Sequence, residues 1–297
     1  LHARVARATM RAMAKWLEAR APLLIGVVHL LPTPGAPRAA SPFTGARAHA
    51  RAESAVMAAL LARARADARA LVRGGCDALI VENYGDLPFY AQDLPPETIA
   101  ALALAVAAVR EQAGALPVGV NALRNDARAA LGICATAGAS FLRVNVHTGV
   151  AVADQGLIEG RAAQTLRERE RLCPAALVFA DVHVKHATPL GSESLVEAAR
   201  DARERGLADA LVISGRATGA PPLARELEQV RAALPRVRLF VGSGLDPHNA
   251  AQLLAFADGA IVGTSLKRGG RVEAPVDERR VAALRRCMPR ARRSARA

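Results

Sequence analysis

The chain has 297 residues, 52% of them hydrophobic and 3% aromatic, with a formal net charge of +13. That hydrophobic content excludes global disorder, and the scarcity of aromatics argues against a stacking surface for single-stranded nucleic acid. The charge is no nucleic-acid signature either: three arginines fall in residues 1–12 and six in 285–297, neither end holds an acid, and the body between is only mildly basic.

At the N-terminus Met10 and Met13 both fit as starts, so residues 1–12 are expected to be a non-native or disordered extension. Residues 13–288 are expected to form the folded domain and 289–297 a basic disordered tail. Basic residues from Arg4 to Arg20 interrupt any signal-peptide layout, and no apolar run reaches the ~18 residues of a membrane span. Cys76, Cys134, Cys173 and Cys287 are too scattered for a zinc site or a disulfide framework, which fits reduced thiols in the cytoplasm.

Short apolar runs then alternate with Ala/Arg/Leu-rich stretches. The runs are Leu23–Leu30, Ala78–Glu82, Pro117–Leu123, Phe141–His147, Leu177–Lys185, Ala210–Ser214, Leu239–Gly242 and Ala260–Thr264. Between and after them, helices are predicted near 50–72, 97–113, 125–137, 158–172, 192–205, 221–233, 247–256 and 276–288. Asn125-Asp126 and Ser192 fit N-caps, and Gly74-Gly75, Gly138 and Gly206 fit C-caps. Eight β-then-α units imply parallel strands closed into a single (β/α)8 barrel. An open doubly wound sheet is the runner-up, but the first βα turn lacks its Gly-x-Gly-x-x-Gly. The βα connections 31–49 and 84–96 are long and read as lids or binding loops.

Barrel active sites lie at strand C-termini, and there the polar residues gather. His29 ends the first strand, Glu82-Asn83 the second, Asn121 the third and Ser214 the sixth. Arg143, Asn145 and His147 alternate along the fourth, and Asp181, His183 and Lys185 along the fifth. Period-2 alternation predicts that the last three share one strand face. Asp181, His183, Lys185 and Glu82 are the candidate acids, bases and charge stabilisers; His29, Asn83, Asn121, Arg143, Asn145 and Ser214 are candidate substrate contacts. The bland readings are a hydrogen-bonded core histidine for His29, loop hydrogen bonding for Asn121 and Ser214, and internal neutralisation of Glu82 or Asp181 by Arg143. Only three of the forty cationic residues are lysines, and two of them, Lys185 and Lys267, sit at strand ends. Lysine, unlike arginine, can shift its pKa.

Glycine-rich turns follow the last three strands: Ser214-Gly-Arg-Ala-Thr-Gly219, Val241-Gly-Ser-Gly-Leu-Asp246 and Val262-Gly-Thr-Ser-Leu-Lys267. Glycine lets backbone N–H groups approach an anion, so Gly215, Gly242, Ser243, Gly244, Gly263 and Thr264 are candidate phosphate contacts; tight turns needing glycine are the rival reading. No cofactor is predicted. Asp181 and His183 at strand spacing could share a divalent metal, but no specific metal signature is present.

Taken together, these segments resemble the BtpA/SgcQ family. The matching stretches include Gly26-Val-Val-His-Leu-Leu-Pro-Thr-Pro-Gly35, Glu82-Asn-Tyr-Gly-Asp-Leu-Pro-Phe89, Gly119-Val-Asn-Ala-Leu-Arg-Asn-Asp126, Phe141-Leu-Arg-Val-Asn-Val146 and Asp181-Val-His-Val-Lys-His-Ala-Thr-Pro-Leu190. The resemblance runs from about Lys15 to Gly270. It implies a TIM barrel of the ribulose-phosphate-binding type, but no agreed mechanism. Two functional expectations follow. One is a cytoplasmic, homo-oligomeric lyase, isomerase or nucleosidase-like hydrolase, acting on a small phosphorylated sugar or nucleoside-like ligand. The other, implied by the resemblance, is a photosystem I biogenesis factor peripherally associated with a membrane. No specific nucleic-acid partner is expected.

Overall fold

A computed structural model describes residues 15–19, 21–39, 46–191 and 194–290. The expected extension 1–12, residues 40–45 of the first long loop, the Ser192 cap and the tail beyond 290 lie outside the described residues.

In chain order the strands are β1 (Leu23–His29), β2 (Ala78–Glu82), β3 (Val118–Asn121), β4 (Phe141–Val144), β5 (Val150–Ala153), β6 (Gly156–Glu159), β7 (Leu177–Val182), β8 (Ala187–Pro189), β9 (Ala210–Ile213), β10 (Arg238–Val241) and β11 (Gly259–Val262). The eight expected strands close as β1-β11-β10-β9-β7-β4-β3-β2, and every neighbouring pair in that circuit is parallel. The helices are α1 (Ala46–Gly74), α2 (Pro96–Ala113), α3 (Ala127–Ala137), α4 (Ala162–Leu172), α5 (Leu195–Arg200), α6 (Ala224–Ala233), α7 (Ala250–Leu253) and α8 (Glu278–Cys287). Asp126 caps α3 by accepting from the Ala129 amide, and Gly138 ends it in the left-handed conformation. The helix expected at 192–205 is capped by Ser194 instead, and beyond Arg200 it continues as a π-turn, Asp201–Arg205.

A second sheet, β6-β5-β8, was not expected. Its strand β6 takes residues 158–159 from the predicted helix near 158–172, which starts only at Ala162. Val150-Ala-Val-Ala153 and Gly156-Leu-Ile-Glu159 form an antiparallel hairpin across Asp154-Gln155. Ala151 and Ile158 point inward against Val146 and Val184, while Val152 and Leu157 face out. That is period-2 patterning, the signal of a half-buried strand.

The barrel interior is layered. Phe141, Phe179 and Phe240 fill the lower part with Val27, Ile80, Val212 and Ile261. Trp16, on the 3-10 turn Lys15–Glu18, closes that end over Phe141 and Phe179, with ring centroids 5.5 and 6.1 Å away. Each buried phenylalanine contributes about 1.5–3 kcal/mol of burial free energy. Gly119 is needed opposite them: a Cβ there would lie 2.3 Å from the Phe141 ring. Two residues further along each strand, on the same face, lie His29, Glu82, Asn121, Arg143, Asp181, Ser214, Gly242 and Gly263. The apolar floor therefore dictates which side chains form the next layer, and that layer is polar.

Candidate functional site

Arg143 organises the polar layer. It donates from Nε and Nη2 to the two oxygens of Asp181, at 3.0 and 2.9 Å, and from Nη1 to Glu82 Oε1 at 3.4 Å. Asn145 Nδ2 also donates to Asp181, and Asn121 Nδ2 donates to Glu82 Oε1 at 3.1 Å. All five residues are buried. Asp181 is thus fully occupied in holding Arg143. Glu82 is not: its Oε2 lies 3.7 Å from His29 Nε2. Burial, followed by the charges of Lys267, Lys185 and Arg143, holds His29 well below the ordinary histidine pKa, so its ring is neutral. Two buried acceptors, Asn121 Oδ1 and Asn145 Oδ1, have no hydrogen-bond partner among the described residues, and both residues line the cavity above the layer.

The expected Asp181/His183/Lys185 face does not form. Strand β7 ends at Val182, and His183 has φ 51°, in the left-handed region. That rotation breaks the alternation and sends His183 into a neighbouring cavity with Ser214, Gly215 and Glu226. Its Nε2 is buried without a partner, and burial lowers its pKa. A second left-handed residue, His186 with φ 56°, follows. Between the two, Lys185 is carried back over the barrel mouth, where it lines both central cavities beside Glu82 and Arg143. Arg124 Nη2 donates to the Lys185 carbonyl and pins this turn. No hydrogen bond or ion pair of the Lys185 amine is found among the described residues. Burial pushes its pKa down, Arg143 adds to this, and Glu82 and Asp181 oppose it.

The turns after β10 and β11 meet in a cavity of about 250 Å3 lined by Gly242, Ser243, Gly244, Gly263 and Thr264. Val27 and Ile261 lie beneath, Lys185 lines one side, and Arg280 of α8 and Asp246 also line it. The glycines are sterically required: a Cβ on Gly242 would lie 2.3 Å from Ser214 Oγ, and one on Gly263 would lie 2.6 Å from His29 Cε1. Ser243 Oγ is already engaged, donating to the Ala220 carbonyl at 2.7 Å and accepting from the Gly215 amide at 3.3 Å.

The other expected residues lie elsewhere. Asn83 is fully buried behind the second βα loop, where its amide binds both backbone groups of Leu123 and donates to Asp86. His147 lies beyond the end of β4, and its Nε2 is 2.7 Å from the Gly206 carbonyl. Ser214 and Gly215 line the His183 cavity. Among the described residues no group of three His, Cys, Asp or Glu gathers at metal-binding spacing, and the left-handed turn at His183 separates the Asp181–His183 pair. Sequence reasoning missed Tyr84, Phe89, Thr218 and Arg280. The signal for the first two was a cluster of three aromatics, Tyr84, Phe89 and Tyr90, in one long loop of an aromatic-poor chain.

A sequence model described as the BtpA family matches residues 20–290. The chain belongs to the BtpA family. This BtpA-family protein is 45% identical over 261 residues to the photosystem I biogenesis protein BtpA of Synechocystis sp., covering 88% of this chain and 86% of that protein. It is equally 45% identical, over 263 residues, to an uncharacterized protein of Thermococcus kodakarensis, covering 88% of this chain and 93% of that one. An uncharacterized mitochondrial protein of Caenorhabditis elegans is 30% identical over 276 residues, covering 91% and 94%. Among solved structures, thiamine phosphate pyrophosphorylase from Pyrococcus furiosus superposes with a TM-score of 0.54 at 12% identity, covering 91% of this chain and 96% of that one. A native KDPGal structure gives 0.54 at 15% identity, covering 89% and 93%. These likenesses show the fold, a TIM barrel. Among the described residues no helix is long and apolar enough to cross a membrane.

Proposed function

We propose that this BtpA-family protein is an enzyme acting on a small phosphorylated sugar by acid/base chemistry at the barrel mouth. The observation that carries this reading is the unpartnered Lys185 amine, which lines the glycine-turn cavity and the larger cavity together with Glu82. The phosphate lies against the turns Gly242–Gly244 and Gly263–Thr264, whose glycines admit a close approach of backbone and where Lys185 favours an anion. Sugar hydroxyls donate to the vacant carbonyls of Asn121 and Asn145. Glu82, with Oε1 tied to Arg143 and Asn121, offers Oε2 to take a proton from the sugar. Lys185 then stabilises the developing oxyanion or returns a proton to it. Asp181 acts through Arg143, fixing the guanidinium that orients Glu82. The test is thermal stabilisation by ribose 5-phosphate and other phosphosugars, repeated with Lys185→Ala. Stabilisation lost in the variant is expected; none across a broad panel counts against the reading.

A second reading is a photosystem I biogenesis factor held at a membrane surface, supported by the Synechocystis relative. It is weakened by the comparable identity to an archaeal relative and by a relative in a nematode, which has no photosystem. A host-cell fractionation with the protein wholly in the supernatant would sink it.

A further inference from the structure

The larger cavity is built for more than a phosphosugar. It has a volume of about 590 Å3 and shares Glu82, Arg143, Lys185 and Thr218 with the glycine-turn cavity, so the two adjoin at the charged centre. Away from that centre one part of its wall is apolar: Tyr84, Leu87 and Phe89 from the loop after β2, Leu123 after β3 and Val184 after β7. A phosphosugar seated at the charged centre would leave this apolar wall uncovered.

The aromatics make it specific. The chain has nine Phe, Tyr and Trp residues, and four of them plug the barrel floor. Among the described aromatics, Tyr84 and Phe89 alone line this cavity. Tyr84 packs on His29 at a centroid distance of 4.6 Å, and Phe89 meets Tyr84 near-perpendicularly at 6.4 Å. Both rings remain half-buried.

The wall is also preformed. Asp86 accepts from the Thr33 amide at 2.7 Å and from Asn83 at 3.1 Å, and Asp126 accepts from the Leu94 amide at 2.8 Å. These buried bonds hold the loop at both ends, so a ligand need not order it on binding.

We infer that the substrate is two-headed: a phosphate over the glycine turns, a sugar at the charged centre, and a planar aromatic ring of the nucleobase class against Tyr84 and Phe89. This rests on the phosphosugar reading above. Arg124 and Asp154 line the same cavity and supply a donor and an acceptor for the ring's polar edge.

The test is isothermal titration with four probes: ribose 5-phosphate, 5′-AMP, 5′-UMP and adenosine. Base stacking on aromatic side chains is worth about tenfold to hundredfold in affinity, so at least one nucleotide is expected to bind about tenfold or more tighter than ribose 5-phosphate. Phe89→Leu, which keeps an apolar side chain but removes the ring, is expected to erase most of that advantage. Its ribose 5-phosphate binding should stay within about twofold. The inference is overturned if ribose 5-phosphate binds and neither nucleotide binds tighter, or if Phe89→Leu weakens all probes equally. Adenosine binding that Phe89→Leu abolishes, with no binding of ribose 5-phosphate, keeps the ring subsite and removes the phosphosugar reading instead. No binding by any probe removes both.

Discussion

The guanidinium of Arg143 closes on Asp181 through two parallel hydrogen bonds of 3.0 and 2.9 Å, with both side chains withdrawn from solvent. The same group reaches Glu82 at 3.4 Å. One buried cation therefore compensates two buried carboxylates. Removing one partner of a buried pair costs about 3–5 kcal/mol, because the other charge is left unpaired. Arg143→Met is expected to lose that much stability in urea unfolding. Arg143→Lys restores the charge without the bidentate fork and should fall between.

Lys185 makes the opposite prediction. Its amine has no hydrogen bond or ion pair among the described residues to lose, and burial already disfavours its charge. Lys185→Met is expected to raise the melting temperature of the unliganded protein slightly while abolishing stabilisation by ribose 5-phosphate. A large drop in the unliganded melting temperature would make Lys185 a structural residue.

Lys267 is fully buried, its Nζ lacks a hydrogen bond, and its nearest carboxylate oxygen, on Asp67, is 3.9 Å away. Burial lowers its pKa from 10.5 to about 8. Between about pH 8 and 10.5 the unfolded chain holds this proton and the folded chain has released it. Stability therefore rises with pH across that window. The penalty below pH 8 is on the order of 3 kcal/mol. Lys267→Met is expected to be more stable at pH 7 by roughly 2–3 kcal/mol, and to flatten the rise that chemical denaturation detects from pH 8 to 10.

His183 sits at φ 51° with a buried, unpartnered Nε2. A left-handed conformation costs a non-glycine residue about 1–2 kcal/mol, of which glycine's extra unfolded-state entropy offsets about 0.5–1. His183→Gly should therefore leave stability unchanged or raise it by up to about 1 kcal/mol in urea, with ribose 5-phosphate stabilisation intact. Loss of that stabilisation would return His183 to the site.

The barrel was legible in the sequence because strand parity and helix capping are local. Phe141 and Arg143, Phe179 and Asp181, Ile80 and Glu82 stand two residues apart on one face of a strand, so an apolar floor beneath a polar layer can be read without coordinates. The hairpin Val150–Glu159 carried the same period-2 signal, but the helix-like Arg161–Arg171 stretch that follows obscured it.

Other placements followed from long-range contacts. Asn83 looked like a strand-end ligand contact until the Leu123 backbone, 40 residues away, took up its amide. The sequence by itself determined the eight-unit barrel and the polar composition of its mouth, since both depend on periodicity over a few residues. Only the tertiary structure decided that His183 turns into a neighbouring cavity while Lys185 returns over the barrel mouth. Alternation holds only while the strand lasts, and β7 ends at Val182. Beyond that point the backbone turns left-handed at His183 and again at His186, and the Arg124 guanidinium holds the turn at the Lys185 carbonyl.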